Sequence, residues 1–132
     1  MTKLEQIKQE AQIIREWAEQ LQAKHKLWHD SLAEMCGICS YALFKQLLQK
    51  GFSVCLASND EHVFVTWRGY IVDITATQFG KKEKVYISRL NHKWPDDYWN
   101  IEQTAKTLRE AKRIFTPSWP TYQSPYRWRL RS

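Results

Sequence analysis

The chain has 132 residues, enough for one domain whose core needs no covalent staples. Three cysteines cannot pair completely, which excludes a full disulfide framework and favours reduced thiols. No apolar leader core follows a basic start and no apolar run reaches membrane-spanning length, so a soluble, cytoplasmic chain is expected.

Residues 2–27 carry Leu4, Ile7, Ala11, Ile14, Ala18 and Leu21 at spacings of three and four, which predicts one long amphipathic helix packed on the core. "WHDSLAE" is a break and restart, with Asp30 or Ser31 as N-cap of a second helix that Gly51 stops. Beyond Gly51 the period changes to two. "FSVCLAS", "HVFVTWR" and "YIVDITA" predict strands, the last two joined at Arg68–Gly69, and "KVYISRL" predicts another after a turn at "GKK". "NHKWPDDYWN" is expected as a loop. "IEQTAKTLREAKRIF", with Ile101, Ala105, Leu108 and Phe115 near one face, is expected as an amphipathic helix. Helices, then strands, then a helix suggest an α+β fold with an antiparallel sheet.

The tail "TPSWPTYQSPYRWRLRS" is aromatic and basic. From Ile101 to Ser132, seven Lys/Arg stand against two Glu, so +5 of the formal +6 lies there. Trp119, Tyr122, Tyr126 and Trp128 interleave with Arg127, Arg129 and Arg131, a composition suited to an anionic partner such as nucleic acid, an acidic protein or lipid. The plainer reading, which is preferred, has these aromatics cover the domain's own core, because a solvated tail would expose an apolar patch.

"MCGICSYALF" puts Cys36 and Cys39 three apart at the head of the second helical pattern. They could be a redox pair, zinc ligands, a nucleophile with a bystander, or core. The downstream strands weigh on the choice. With a two-residue loop at Arg68–Gly69, Trp67 pairs with Tyr70 and Phe64 with Asp73, so His62 and Asp73 become diagonal neighbours on one face. An aspartate inside "YIVDIT" is costly unless paired, and a histidine donating Nδ1–H to it would leave Nε2 free as a base. A cysteine at a helix N-terminus, where orphan amides favour a thiolate, completes a Cys-His-Asp constellation suited to acyl transfer.

"CGICSYALFKQLLQKG" followed by "HVFVTWRGYIVDITATQF" resembles the small transglutaminase-like or papain-like cysteine domains, over residues 34–79. The resemblance implies a single domain, 1–132. It would comprise an N-terminal helix (2–27), a catalytic core (about 28–90) and a C-terminal helix with the basic aromatic tail (101–132). A helical half carrying the Cys would pack on an antiparallel sheet carrying His and Asp. It implies a cysteine hydrolase or acyltransferase acting on a peptide, protein or small amide or ester, with Cys36 as nucleophile, His62 as base and Asp73 as orienting residue. Gln78 belongs to the same signature, and Ser40 stands four residues after Cys36. Gln78, Ser40 and Gln22 are candidates for oxyanion or site support, beside the helix N-terminal amides. Domains of this type also occur as bacterial toxin or effector modules delivered into a target cell. Two departures stand out: Met35 precedes Cys36 where a glycine is common, and Cys39 occupies the papain-type register as alternative nucleophile.

No cofactor and no metal are expected. A thioredoxin-like reading of "CGIC" lacks an apolar strand just before the pair. A zinc site from His29, Cys36 and Cys39 lacks a fourth ligand at a common spacing.

Overall fold

The stripe that predicts the first helix is the stripe that is buried. In α1 (Lys3–His25), Ile7, Ala11, Ile14, Ala18 and Leu21 have no solvent exposure, and Leu4 packs at the margin of the same cluster. Thr2 Oγ1 accepts from Glu5 N at 3.1 Å, satisfying one orphan amide of the first turn. The structure, a computed structural model, describes residues 1–25, 36–90 and 97–115. The expected cap at Asp30 or Ser31, His29 and the aromatic tail from Trp119 to Trp128 lie outside the described residues.

Helix α2 (Cys36–Gln49) is apolar around most of its circumference, as suits a helix enclosed on several sides. It packs against α1 on one side and, on the other, against the first two strands, Cys55–Ser58 and Val63–Trp67. Glu10, in the first half of α1, accepts from Gln46 near the end of α2 at 3.1 Å, the pairing expected of antiparallel helices. Gly51 adopts φ +92°, and the amides of Gly51 and Phe52 return to the carbonyls of Leu48 and Leu47, ending the helix.

The sheet follows. Strands β1 (Cys55–Ser58), β2 (Val63–Trp67), β3 (Tyr70–Asp73), β4 (Tyr86–Arg89) and β5 (Gln103–Ala105) are ordered β4-β3-β2-β1-β5, with every neighbouring pair antiparallel. The β2–β3 hairpin turns at Arg68 (φ +44°) and Gly69 (φ +79°), both left-handed as a tight two-residue loop demands. Trp67 pairs with Tyr70 and Val65 with Val72, the expected register. One face of the sheet, through Leu56, Val65 and Val72, joins the helices in the main core. The other, through Ala57, Phe64 and Ile71, gathers Ala76 and Trp99. The protein is thus α+β, with helices packed on a five-stranded antiparallel sheet. No helix among the described residues is long and apolar enough to cross a membrane.

The segment expected as one helix over 101–115 is divided. Gln103–Ala105 pairs along β1 as β5, and only Leu108–Ala111 is helical (α3). The reason is local. Thr107 is extended (φ −125°, ψ 159°) and its Oγ1 accepts from Glu110 N at 3.1 Å, while Glu110 Oε1 accepts from Lys106 N at 3.2 Å. That reciprocal cap starts a helix at 108 and forbids one from running back through 107. The freed residues then satisfy an otherwise open sheet edge.

Candidate functional site

His62 immediately precedes β2 and Asp73 ends β3, so the tight hairpin brings them together. His62 Nε2 and Asp73 Oδ2 are 2.6 Å apart, and both side chains are fully buried. The sequence-based expectation had Nδ1–H meeting the carboxylate; the ring is turned the other way. Nε2 holds Asp73, and Nδ1 is buried without a hydrogen-bond partner among the described residues. Spacing locates a ring but does not choose between its nitrogens. That choice follows from the carboxylate's approach and from the packing of Phe64 (stacked, 5.6 Å) and Phe79 (edge-on, 4.7 Å) on the imidazole.

Asp73 is held from every side. Oδ2 also accepts from Trp99 Nε1 at 2.8 Å, and Oδ1 accepts from Thr75 N at 2.8 Å and Thr75 Oγ1 at 3.1 Å. Burial pushes its carboxyl upward, but the His62 charge and hydrogen bond, aided by Thr75 and Trp99, outweigh that and hold it below the ordinary carboxylate range. Burial works to lower His62 as well. The Asp73 charge and hydrogen bond reverse it, Cys36 adds in the same direction, and the imidazole is raised to about 9 from its ordinary 6.5. At neutral pH the ring is therefore an imidazolium, with Nε2–H on Asp73 and a proton on Nδ1 as well.

Cys36 is half-buried at the start of α2, close enough to His62 to favour the charged imidazole. Because Nδ1 forms no hydrogen bond of closed geometry, the two are neighbours in a loose resting arrangement. Ser40, one turn along the helix, fastens α2 to the sheet end: its Oγ donates to Val63 O at 2.8 Å, beside His62. Cys39 has no exposure, and burial, with Cys36 adding, pushes its thiol far up, so it is core-like. Cys55 is half-buried in β1 opposite Thr66.

The glutamines have separate fates. Gln78 Nε2 donates to Thr75 Oγ1 at 3.2 Å, which supports the turn around Asp73. Gln22 is 8 % exposed near the end of α1, and its amide has no hydrogen-bond partner among the described residues.

Sequence reading missed Trp99, Thr75 and Arg15. Trp99 ends a single 3-10 turn, Asp97–Trp99, inside a segment expected as a loop, with no periodicity to announce it. Thr75 lies within the "DITATQF" stretch, two residues past the carboxylate, where an Asx-type turn is a readable signal. Arg15 sits beside the apolar stripe of α1, 3 % exposed, and its guanidinium donates to Ile74 O at 2.7 Å and Thr77 Oγ1 at 3.2 Å. It pins the turn that follows Asp73. Among the described residues no group of three or more His, Cys, Asp and Glu could hold a metal ion.

No family model, curated protein or solved structure matches this chain.

Proposed function

We propose that the protein is a cysteine-dependent acyl-transfer enzyme of transglutaminase- or papain-like type, acting on an amide or ester. The observation that carries this reading is the fully buried His62–Asp73 pair at 2.6 Å, beside a half-exposed cysteine at the head of a helix. A buried ion pair contributes little net stability by comparison with an apolar core, so a charged imidazole with one nitrogen turned from the carboxylate suits a proton-transfer role.

In this reading Cys36 Sγ, as thiolate, attacks the carbonyl carbon; the C–S bond forms as the C=O π pair moves to oxygen. The oxyanion is held by amides at the start of α2, with Gln22 as added donor. The antiparallel pairing of α1 and α2 carries Gln22 toward the end of the pair where Cys36 sits, whereas Gln78 is engaged by Thr75. The oxyanion collapses, the C–N or C–O bond breaks, and the His62 Nδ1 proton passes to the leaving group. Water or an amine then attacks the thioester, giving its proton to Nδ1, and the C–S bond breaks as the second oxyanion collapses, releasing the acyl product and restoring the Cys36 thiolate. Asp73 keeps the ring oriented throughout.

The test is alkylation by iodoacetamide at mildly acid pH, with peptide mapping, and intact-mass detection of an acyl-enzyme from an activated ester. One label, at Cys36, abolished in Cys36→Ala and slowed in His62→Ala, supports the reading. Equal labelling of Cys36, Cys39 and Cys55 overturns it.

A further inference from the structure

We infer that Asn59 is a positioning residue: its side-chain amide fixes His62 and Trp99 relative to each other, and so sets where the two donors meet Asp73. Asn59 Oδ1 accepts from the backbone amides of Glu61 (2.8 Å) and His62 (3.0 Å), while Nδ2 donates to the carbonyls of Tyr98 (2.9 Å) and Asn100 (2.7 Å). Trp99 lies between those two carbonyls. Its indole Nε1 and His62 Nε2 converge on the same oxygen, Asp73 Oδ2, at 2.8 and 2.6 Å. The connections close a circuit from Asn59 through His62, Asp73 and Trp99 back to Asn59.

The orientation of the amide follows from its neighbours, since N–H groups face one end and carbonyls the other. An Asx turn in the β1–β2 loop accounts for Oδ1 alone. It does not call for Nδ2 to reach a segment some 40 positions away, which spans the whole site. The chemistry is specific to asparagine. Aspartate would keep the turn acceptor but set a carboxylate oxygen, in place of Nδ2, against two carbonyls, and serine could keep the turn but not reach across. Two donors share one carboxylate oxygen only if their approach directions are held apart, and their own side chains are too short-tethered to choose those directions. The backbones that carry them must be placed, and Asn59 places both.

The consequence for catalysis rests on the acyl-transfer reading; the consequence for His62 and Trp99 does not. The experiment uses the full chain and NMR of the Trp99 indole proton and the His62 ring. Asn59→Ser retains a turn acceptor without changing charge, and Trp99→Phe removes only the indole donor. Asn59→Ser is expected to speed exchange of the Trp99 indole proton about tenfold or more and to lower the His62 titration midpoint by about one unit. The double variant should titrate like Trp99→Phe alone, because both changes break one circuit. If Asn59→Ser does not fold, Asn59→Asp, which keeps the turn acceptor and lacks the donors, is read by the same indole exchange. Unchanged indole protection in the folded variant, or additive shifts in the double variant, overturns the inference. Equal labelling of Cys36, Cys39 and Cys55 in the wild-type chain would instead overturn the acyl-transfer reading and leave this cycle intact. Where both hold, Asn59→Ser lowers kcat about tenfold with KM little changed.

Discussion

The two faces of the sheet obey one rule of alternation and serve opposite ends. On the helix side, Leu56, Val65 and Val72 meet Ile14, Leu43, Phe44 and Leu47 in a core built of carbon. On the other side, Phe64, Ile71 and Trp99 surround an ion pair, with Phe79 and Tyr98 stacked at 3.9 Å over its margin. The first face distributes its stabilisation over many apolar contacts, so each residue is replaceable by another of similar volume. The second concentrates it on a single carboxylate whose partners are all directional. The first makes a fold; the second makes a chemical environment.

Reactivity should separate the faces most sharply. On the proposed acyl-transfer reading, Asp73→Asn is expected to reduce the reaction by on the order of 10³–10⁴-fold, the scale on which loss of an orienting carboxylate acts in Ser-His-Asp triads. Phe44→Ala, at a position with no exposure, should cost about 3–5 kcal/mol of stability yet leave the reaction per folded molecule within about threefold. Urea melts and single-turnover acylation, measured on the same samples, decide it. If Phe44→Ala lowers turnover of folded protein as much as Asp73→Asn does, the division between the faces fails.

Much of this contrast is legible in the sequence. The apolar stripe of α1, the period-two strands and the turn at Arg68–Gly69 are local signals that agree with the packing, and together they predict that His62 and Asp73 share a face. What escapes is set by long-range competition. Ala105 fits a helical stripe with Ile101 and Leu108, but the open edge of β1 claims residues 103–105 and the Thr107 cap blocks the helix. The hydrogen bond from Trp99 to Asp73 joins residues 26 apart in the chain, beyond the reach of any local period. The choice of Nε2 for Asp73 depends on ring packing that no spacing encodes.

The second way to test the contrast is pH. His62 is raised to about 9 from 6.5, so its contribution to stability is fully present below about pH 6.5 and lost as pH rises through about 9. Asp73 is lowered, so the same interaction is present above the ordinary carboxylate pKa and lost as pH falls through the depressed value. The two describe one pair and are not added. Equilibrium urea unfolding should show stability falling by roughly 3 kcal/mol between mildly acid and strongly alkaline pH. In His62→Gln that alkaline slope should largely vanish, whereas Phe44→Ala should lower the curve without flattening it. A wild-type curve that is flat over this range would show that the pair is not charged in the fold.

A third prediction concerns how the head of α2 is seated. A Cβ built on Gly37 would come within 2.6 Å of Phe115 Cδ2, a half-buried ring that also lies 6.0 Å from Tyr41. Gly37→Ala must therefore displace Phe115, at a cost of about 1–3 kcal/mol. Gly37→Ala combined with Phe115→Leu, which shortens the obstacle, should recover part of that loss in thermal melts. Additive destabilisation would mean that the contact does not limit this position.

The smallest effect is a gain, and it bears on the register that joins the faces. Arg68 occupies φ +44° in the hairpin turn, a left-handed conformation in which Cβ crowds the backbone at a cost of about 1–2 kcal/mol, while Asn adopts it more readily. The side chain is not idle: its guanidinium lies 5.2 Å over the Trp67 ring, worth about 0.5 kcal/mol at an exposed site. Arg68→Asn forfeits that contact but supplies the Asn-Gly pair that tight two-residue turns prefer, for a net gain of about 0.5 kcal/mol. The gain should appear as a Tm higher by a few degrees at most, with the His62 titration unchanged. Arg68→Ala separates the terms, since it loses the ring contact and keeps the strain; it should melt below wild type. If Arg68→Asn also melts below wild type, the guanidinium–indole contact outweighs the backbone strain, and the register of His62 against Asp73 is held by side chains rather than by the turn.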